Sequence, residues 1–260
     1  MQDLKVGIIQ TRPFWEDKAA NFSNYECLFS ENFTGKTIDL ILLPEMFNTG
    51  FSMDAAELAE NMGGESIQWL TKQATLYNCQ LAASLIIQEN GKFFNRLVFV
   101  SASGVEGHYD KRHLFRMAGE NEVFTAGEER IIHALNGWRI LPQVCYDLRF
   151  PIFSRNHFVN GQKEYDLCIY LANWPEKRVY AWRNLLQARA IENQAYCIGV
   201  NRIGTDGNEI PYSGDSMLID PWGIIEGDWE KYSENATILN LSAAKLQDIF
   251  EKFPTYLDAD

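Results

Sequence analysis

The 260 residues of this chain are 46% hydrophobic and 22% charged, a balance that predicts one globular domain over residues 1–260. A chain of this length can bury a large core without disulfides or metals. Lys and Arg total 23 against 35 for Asp and Glu, which gives a formal net charge of -12. That charge repels phosphate backbones and anionic lipid surfaces, so neither nucleic acid nor a membrane is an expected partner.

The cysteines and histidines are too scattered to suggest a metal site. The five cysteines form no CxxC pair, and the four histidines lack HExxH spacing, so we expect no metal and no other cofactor. No window approaches the roughly 18 uninterrupted apolar residues that a membrane helix needs. We therefore expect a soluble chain with reduced thiols in the cytoplasm. The cysteines are Cys27, Cys79, Cys145, Cys168 and Cys197.

Short apolar runs alternate with longer segments of helical period, which indicates a layered α/β domain. In the first half, strands are predicted over 6–10, 38–43, 81–87 and 94–100, and helices over 17–29 and 66–77. The run over 38–43 is too apolar to have a solvated face, so it should lie centrally in a sheet. Asn90-Gly91 predicts a hairpin between the last two of these strands.

The second half continues the same alternation. Asn136-Gly137 predicts a hairpin between strands over 131–135 and 138–144, and residues 204–207 predict another. The longest predicted helix covers 177–194, where apolar residues recur at spacings of three and four and should pack on a sheet. The remaining predicted elements are strands over 167–171, 196–200, 216–219 and 237–241 and a weak closing helix over 243–250.

Cys145 follows the apolar run 138–144, at the point where a strand should give way to a sharp turn. Two other reactive side chains occupy similar positions upstream, because Glu45 closes the run 38–44 and Lys111 ends the stretch before a charged turn. Ligand sites in open α/β sheets gather at the carboxyl ends of strands. We therefore expect the three side chains to converge on one site.

A thiol, a carboxylate and an amine can together cleave an amide or a nitrile. A cysteine nucleophile needs a partner that takes its proton, because only a small fraction of a free thiol is ionised at neutral pH. Glu45 can take this proton and later protonate a leaving amine. Negative charge then develops on the substrate, and the Lys111 ammonium and the backbone N–H of Tyr146 are candidates to stabilise it.

Each of these residues also has a structural alternative. A single cysteine at a strand end is more often a buried apolar residue than a nucleophile. Glu45 could cap a loop after Pro44, and Lys111 could belong to a solvated charged turn. Their shared position at the ends of separate apolar runs favours the catalytic interpretation.

Three blocks carry a resemblance to a known family: residues 43–45 (LPE), 109–115 (YDKRHLF) and 145–151 (CYDLRFP). In order and interval they resemble the signature blocks of the nitrilase superfamily of carbon-nitrogen hydrolases, and the likeness runs from about Val6 to Leu241. The resemblance implies a four-layer α-β-β-α sandwich and, since family members commonly dimerise, a homodimer. It implies that Glu45 is the general base, Lys111 the stabiliser of the tetrahedral intermediate and Cys145 the nucleophile that becomes acylated.

A second glutamate is also implied by the resemblance, in the loop after the lysine and seven residues before a glycine. Gly127 places it at Glu120, and Glu122 is the less favoured substitute. Its implied role is to hold the lysine and to orient the amide of the substrate. The alternative for Glu120 is an exposed loop acid.

Within the superfamily, residues 145–151, 172–175 (ANWP) and 188–193 (ARAIEN) are together similar to the omega-amidase group. Those enzymes hydrolyse the terminal amide of 2-oxo dicarboxylic acid monoamides such as 2-oxoglutaramate. Nitrilases proper more often carry Trp-Glu after the cysteine, and carbamoyl hydrolases usually differ before the following Arg and Pro. Hydrolysis of an N-carbamoyl amine or a nitrile, and a non-catalytic binding protein on the same scaffold, stay as alternatives.

A substrate that carries a carboxylate needs a local cation to approach a protein of charge -12. Arg149, four residues after the nucleophile, could supply a bidentate contact beside Tyr146, with a structural ion pair as the alternative role. Trp174 and Phe47 are expected to form walls of the pocket, although aromatic residues are also ordinary core filling. Further cationic candidates are Arg112, Arg116, Lys177 and Arg178.

Overall fold

The computed structural model describes residues 1–159 and 161–258, which form sixteen strands, seven α-helices and four short 3-10 helices. The strands are β1 (Leu4–Gln10), β2 (Leu40–Leu42), β3 (Gln80–Glu89), β4 (Lys92–Ser101), β5 (Gly104–Asp110), β6 (His133–Leu135), β7 (Trp138–Val144), β8 (Phe158–Val159), β9 (Gln162–Lys163), β10 (Leu167–Ala172), β11 (Tyr196–Asn201), β12 (Ile203–Thr205), β13 (Pro211–Ser213), β14 (Met217–Ile219), β15 (Ile225–Asp228) and β16 (Asn235–Leu241). The α-helices are α1 (Lys18–Phe33), α2 (Ala55–Leu58), α3 (Glu65–Tyr77), α4 (Glu120–Val123), α5 (Pro151–Ser154), α6 (Val179–Asn193) and α7 (Ala243–Lys252). The 3-10 helices cover Arg116–Ala118, Cys145–Arg149, Glu176–Arg178 and Thr255–Asp258.

Two six-stranded sheets form the centre of the fold, with strand orders β16-β1-β2-β3-β4-β5 and β15-β14-β11-β10-β7-β6. The central pairs β1–β2, β2–β3, β7–β10 and β10–β11 are parallel, and the outer pairs are antiparallel. Both sheets place their parallel strands centrally, where each face can be covered, as parallel strands require.

The alternation of side chains along each strand assigns residues to different layers. Leu40 and Leu42 belong to the core between the sheets, whereas Ile41 and Leu43 pack with Phe29 and Phe33 beneath the helices. This is why β2 has no polar face: both sides of the strand are covered. On the second sheet, Trp182 and Leu186 of α6 complete the outer layer. The four layers confirm the predicted α-β-β-α sandwich, with α1 and α3 on one face and α6 on the other.

The packing of α6 against the second sheet depends on a glycine in β11. A Cβ atom on Gly199 would lie 2.4 Å from Leu186 and 2.6 Å from Trp182, far inside contact distance. Only a residue without a side chain allows the helix to approach this strand so closely. Helix α6 is thereby held directly against β11.

Most predicted elements are confirmed, and both hairpins have the backbone that Asn-Gly favours. Asn90 and Asn136 adopt positive φ angles of 51° and 50°, and each is followed by a glycine that also has positive φ. The Gly204 hairpin joins β12 and β13, although Gly204 itself lies inside β12 rather than in the turn. No helix within the described residues is long and apolar enough to cross a lipid bilayer.

Several short elements were not predicted, among them β15 and α2, and the differences at β5 and α6 have clear physical reasons. Strand β5 was not predicted because it is a mostly exposed edge strand whose residues lack an apolar pattern. The helix predicted over 177–194 is divided: Glu176–Arg178 is a 3-10 turn, and the φ of -116° at Arg178 is not helical. Helix α6 therefore begins at Val179, after Pro175 has set an extended backbone.

Candidate active site

Three of the predicted site residues meet at one edge of the paired sheets. Glu45 lies three residues after β2, Lys111 directly follows β5, and Cys145 directly follows β7. Strands β2, β3 and β5 run in the same direction, because β4 is antiparallel to both β3 and β5. Their carboxyl ends therefore reach the same edge, where the loops bring a carboxylate, an ammonium and a thiol together.

Lys111 is buried between two carboxylates. Its Nζ donates to Oε1 of Glu45 at 2.8 Å and to the two carboxylate oxygens of Glu120 at 2.9 and 3.0 Å. Asn95, on β4, donates to Oε1 of Glu45 at 2.8 Å and to Oε1 of Glu120 at 3.2 Å. Glu122 is exposed in the same loop. The structure thus brings Glu120, and not Glu122, to the lysine.

Burial and the two carboxylates set the charge of this cluster. Burial opposes the charge on Lys111, but Glu120 and Glu45 outweigh it and raise the pKa of the ammonium above its usual range. Burial also raises the pKa of Glu120, an effect that the charge of Lys111 opposes. The ammonium is consequently a fixed positive charge at neutral pH.

Cys145 lies on a sharp turn with a left-handed backbone, at a φ of 45°. Its Sγ is 3.8 Å from the carbonyl oxygen of Asn173. Burial and the negative charge of Glu45 raise the pKa of this thiol well above its usual value, and Lys111 acts in the opposite direction. This shift favours the neutral thiol over the thiolate, and a neutral thiol needs a base before it can act as a nucleophile.

A buried carboxylate, Asp147, fixes the turn that carries Cys145. Its Oδ2 accepts from the backbone N–H of Val144 at 3.0 Å and from the Tyr109 hydroxyl at 2.8 Å. Its Oδ1 accepts from the backbone N–H of His113 at 2.9 Å and lies 2.7 Å from His113 Nδ1. Because Tyr109 and His113 flank Lys111 in sequence, Asp147 connects the turn of Cys145 to the loop of the lysine.

Arg189 supports the same turn from α6. This buried side chain donates to the carbonyl oxygen of Leu148 at 2.6 Å and to Oε1 of Glu192 at 2.8 Å. Leu148 belongs to the 3-10 helix that starts at Cys145. The outer helix layer thus anchors the backbone that presents the thiol.

A cavity of about 640 Å³ opens above Cys145. Its floor contains Cys145, Lys111 and Asn173, and its walls combine aromatic side chains with charged ones. The aromatic wall residues are Trp15, Phe51, Phe115, Tyr146, Trp174 and Tyr212, and the charged ones are Glu16, Asp54, Arg149, Arg178 and Asp206. Such a mixed, concave lining suits a small polar substrate.

Comparison with known proteins identifies the family. The sequence profile of the carbon-nitrogen hydrolases matches residues 5–249. The chain belongs to this family. It is 44% identical to omega-amidase YafV of Escherichia coli K12 over 100% of this chain and 98% of that protein. It is also 31% identical to the 2-oxoglutaramate amidase of Bacillus subtilis, over 84% and 85% of the two chains.

Solved structures agree with this assignment of the carbon-nitrogen hydrolase. XC1258 of Xanthomonas campestris, a CN-hydrolase superfamily protein, superposes with a TM-score of 0.96 at 41% identity, covering 100% of this chain and 98% of that one. Nit3 of Saccharomyces cerevisiae, of the nitrilase superfamily, superposes with a TM-score of 0.83 at 22% identity over 97% and 95% of the chains. The latter likeness concerns the fold.

Three of the four residues predicted to bind substrate in this carbon-nitrogen hydrolase line the cavity: Tyr146, Arg149 and Trp174. The exception is Phe47, which is fully buried and packs in an aromatic core with its ring centroid 5.7 Å from that of Trp69. Phe47 is therefore not a wall of the pocket. Phe51 takes that place, with Lys111 Nζ 5.2 Å from its ring centroid.

The other cationic candidates of the hydrolase differ in whether they line the cavity. Arg112 donates to the carbonyl oxygens of Gly127 and Glu128 outside the cavity, and neither Arg116 nor Lys177 lines it. Arg178 does line it. Arg149 makes no ion pair with any described residue, so the ion pair considered for it is not seen.

Sequence reasoning missed three residues that support the buried cluster of Glu45, Lys111, Glu120 and Cys145: Asn95, Asp147 and Arg189. Asn95 lies in a strand that is mostly apolar, and a buried amide there signals a satisfied polar contact. Asp147 and Arg189 lie inside blocks quoted for the resemblance, but the sequence alone does not reveal their partners. Within the described ranges, no group of three or more His, Cys, Asp or Glu side chains is arranged to hold a metal ion.

Proposed function

We propose that this chain is an omega-amidase. It hydrolyses the terminal amide of a small 2-oxo dicarboxylic acid monoamide, such as 2-oxoglutaramate, to ammonia and the dicarboxylic acid. The observation that carries this proposal is the similarity to omega-amidase YafV over the full length of both chains. The buried cluster of Cys145, Lys111, Glu45 and Glu120 supports it, because it contains the groups that amide hydrolysis through a thioester requires.

The first half-reaction forms the thioester. Glu45 takes the proton from Cys145 as Sγ attacks the amide carbon, and the carbonyl oxygen becomes an oxyanion. The Lys111 ammonium and the backbone N–H of Tyr146 stabilise this charge. Protonated Glu45 then gives its proton to the amide nitrogen, the carbon–nitrogen bond breaks, and ammonia leaves.

The second half-reaction returns the enzyme to its starting state. Glu45, again a carboxylate, takes a proton from water as the water oxygen attacks the thioester carbon. The oxyanion forms at the same place and is stabilised by the same donors. The carbon–sulfur bond then breaks, and Glu45 returns the proton to the thiolate of Cys145. Glu120 keeps the ammonium of Lys111 in position through both halves.

Substrate selection rests on Arg149 in this proposal. The guanidinium is exposed at the cavity, its Cζ lies 5.1 Å from the ring centroid of Trp174, and no described carboxylate neutralises it. In a protein of charge -12 such an unpaired cation is an attractive site for the carboxylate of the substrate.

Release of ammonia from 2-oxoglutaramate tests the proposal. Purified protein should produce ammonia at a rate that Cys145→Ala abolishes, whereas Cys79→Ala, a change at a thiol remote from the cavity, should keep it. Mass spectrometry of protein quenched during turnover should show the acyl group on Cys145. Wild-type turnover no faster than that of Cys145→Ala, or faster turnover of an N-carbamoyl amine or a nitrile, would reject the assignment.

We also propose that the enzyme is a homodimer. Ile191, Trp222, Ile224 and Phe253 are 52, 45, 60 and 55% exposed. They are close together, because Gly223 packs on Ile191 and Trp222 stacks on Phe253 with ring centroids 6.0 Å apart. An apolar surface of this kind fits a second copy of the chain. Light scattering should show a dimer that Trp222→Glu weakens, and a monomer at all concentrations would refute it.

The cytoplasm is the proposed compartment of the enzyme. All five cysteines are free, including Cys27 at the surface. Free thiols are typical of a reducing compartment, and an oxidised nucleophile would be inactive. Fractionation of cells that express the tagged protein tests this, and recovery from the extracellular or membrane fraction would contradict it.

A further inference from the structure

The cavity contains a second guanidinium that the proposed chemistry does not use. Arg178 lines the cavity with Arg149 and, like Arg149, makes no ion pair with a described residue. An acidic protein with 35 carboxylates leaves these two arginines unpaired at the same cavity as the nucleophile. Unpaired cations beside a reactive thiol indicate that the substrate supplies their acceptors.

Both guanidiniums are held on aromatic rings. The Cζ of Arg149 lies 5.1 Å from the ring centroid of Trp174, and the Cζ of Arg178 lies 5.1 Å from that of Phe115. Trp174 is fixed in turn, because its Nε1 donates to the carbonyl oxygen of Arg178 at 2.8 Å. A ring below a guanidinium restricts its orientation and leaves its in-plane N–H donors free for a ligand.

The support of Arg178 is also connected to the catalytic cluster. Phe115, the ring below Arg178, donates its backbone N–H to Oε2 of Glu120 at 2.5 Å. The same ring packs edge-on against Tyr146, with centroids 5.0 Å apart. Arg178 is thus positioned by residues that neighbour both Glu120 and the nucleophile, which gives it a defined place relative to the reacting amide.

The number of acceptor oxygens at the acidic end of the substrate determines whether one arginine can bind it or two are needed. A simple carboxylate has two oxygens, which one guanidinium fork can bind completely. A 2-oxo carboxylate presents a third acceptor, the keto oxygen, beside the carboxylate. Buried without a donor, that oxygen would reduce affinity, whereas a second guanidinium can satisfy it.

We propose that Arg178 is a specificity-determining residue that donates to the 2-oxo group, while Arg149 binds the carboxylate. This inference rests on the proposed function, because it assigns the part of the site that separates 2-oxo acids from other acids. Amides that lack the keto group leave Arg178 without its acceptor and are poorer substrates. Arg178 at the wall of the cavity, and not the thiol, thus determines the preference for 2-oxo acids.

Two acids that differ only in the keto group, used as inhibitors, test this inference. The assay substrate can be any amide that the enzyme hydrolyses, including a neutral one such as pentanamide. In the wild type, 2-oxoglutarate should be a competitive inhibitor with a Ki at least about 10-fold lower than that of glutarate. Arg178→Met should reduce this ratio to near one, and Arg178→Lys should recover part of it. Arg149→Met should weaken both inhibitors.

Lys177→Met is the matched control, since it removes one positive charge from the same 3-10 turn at an exposed position outside the cavity. It should leave the Ki ratio as in the wild type. A ratio that survives Arg178→Met, or that falls equally in Lys177→Met, overturns the inference. If 2-oxoglutaramate is not hydrolysed but the Ki ratio behaves as expected, the proposed function fails while the role of Arg178 stands.

Discussion

Asn173 holds the carboxylate and the backbone of Glu45 at the same time. Its backbone N–H donates to Oε2 of Glu45 at 2.8 Å, and its side-chain amide donates to the Glu45 carbonyl oxygen at 2.6 Å. Glu45 follows a strand of the first sheet and Asn173 follows β10 of the second. The proposed base is therefore aimed by a residue of the opposite sheet, whose carbonyl oxygen also faces the thiol of Cys145.

Removing the side-chain amide of Asn173 should reduce kcat more than it changes KM. Asn173→Ala keeps the hydrogen bond from the backbone N–H to the Glu45 carboxylate but loses the one from the side-chain amide to the Glu45 carbonyl oxygen. The backbone of Glu45 is then held less firmly, so its carboxylate is less well oriented. We expect kcat to fall about 10-fold and the free energy of unfolding to fall by about 1–2 kcal/mol. Asn184→Ala, on the exposed side of α6, is the control and should change neither. An unchanged kcat would show that Asn173 does not orient the base.

Glu45→Gln should change hydrolysis and thiol ionisation in opposite directions. Burial and, after it, the negative charge of Glu45 raise the pKa of Cys145, so removal of that charge should lower the pKa. The pH midpoint of Cys145 alkylation by iodoacetamide should move down, because thiolate forms at lower pH. Hydrolysis should nevertheless fall by at least about 100-fold, because the proposed base is lost.

The exposed Glu122→Gln is the matched control for this change and should leave both the alkylation midpoint and turnover unaffected. Retained turnover in Glu45→Gln would show that another group takes the thiol proton. An alkylation midpoint that does not move would show that burial, and not the charge of Glu45, sets the pKa of this thiol.

Lys111→Met should destabilise the fold because it leaves two buried carboxylates, Glu45 and Glu120, without their cation. Breaking a buried pair by removing one partner typically costs about 3–5 kcal/mol. In the double variant Lys111→Met/Glu120→Gln one of the unpaired charges is gone, so part of this loss should return. Urea unfolding measures both, and Lys72→Met, which removes an exposed surface partner of Glu26, should cost less than about 1 kcal/mol.

The double variant distinguishes a charge effect from a packing effect. If the stability lost in Lys111→Met comes from the cavity or from altered packing, then Glu120→Gln will add a further loss instead of compensating. Neither variant should hydrolyse amide at a measurable rate, because the proposed stabiliser of the oxyanion is absent in both.

Lys163 should make the protein more stable as the pH rises above 8. Burial lowers the pKa of this lysine from 10.5 to about 8. The folded state then releases the proton before the unfolded state does, so stability rises between about pH 8 and 10.5. From pH 7 to 9.5 the wild type should gain about 2 kcal/mol relative to Lys163→Met. Equal pH dependence of the two proteins would show that Lys163 has an ordinary pKa.

Much of the fold follows from the sequence because both faces of the central strands are covered. Runs such as β2 and β10 have no polar face, and the two Asn-Gly turns identify their hairpins directly. The edge strand β5 was the hardest to predict, since half-exposed edge residues need not alternate. It is also the strand that delivers Lys111, so the position of this residue at a strand end was correctly inferred without its strand.

The sequence identified the side chains whose chemistry the proposed reaction needs. It did not identify the residues that only hold those side chains in place. Cys145, Lys111 and Glu45 come together as their positions at strand ends suggested, and Glu120, which only the family resemblance indicated, joins them. Phe47 was assigned to the pocket although it belongs to the aromatic core. The sequence does not indicate whether an aromatic residue near the end of such a strand faces the cavity or the core. Met46, directly before Phe47, has a left-handed φ of 47°, a turn that is not visible in the sequence.

The left-handed backbone at Cys145 also limits which side chains this position can accept. Side chains branched at Cβ are strongly disfavoured at such φ angles, so threonine would distort the turn, whereas serine and alanine fit as cysteine does. Between the two aliphatic hydroxyl side chains, the backbone at this position therefore accepts serine and disfavours threonine. The turn that carries Cys145 thus favours side chains that are unbranched at Cβ.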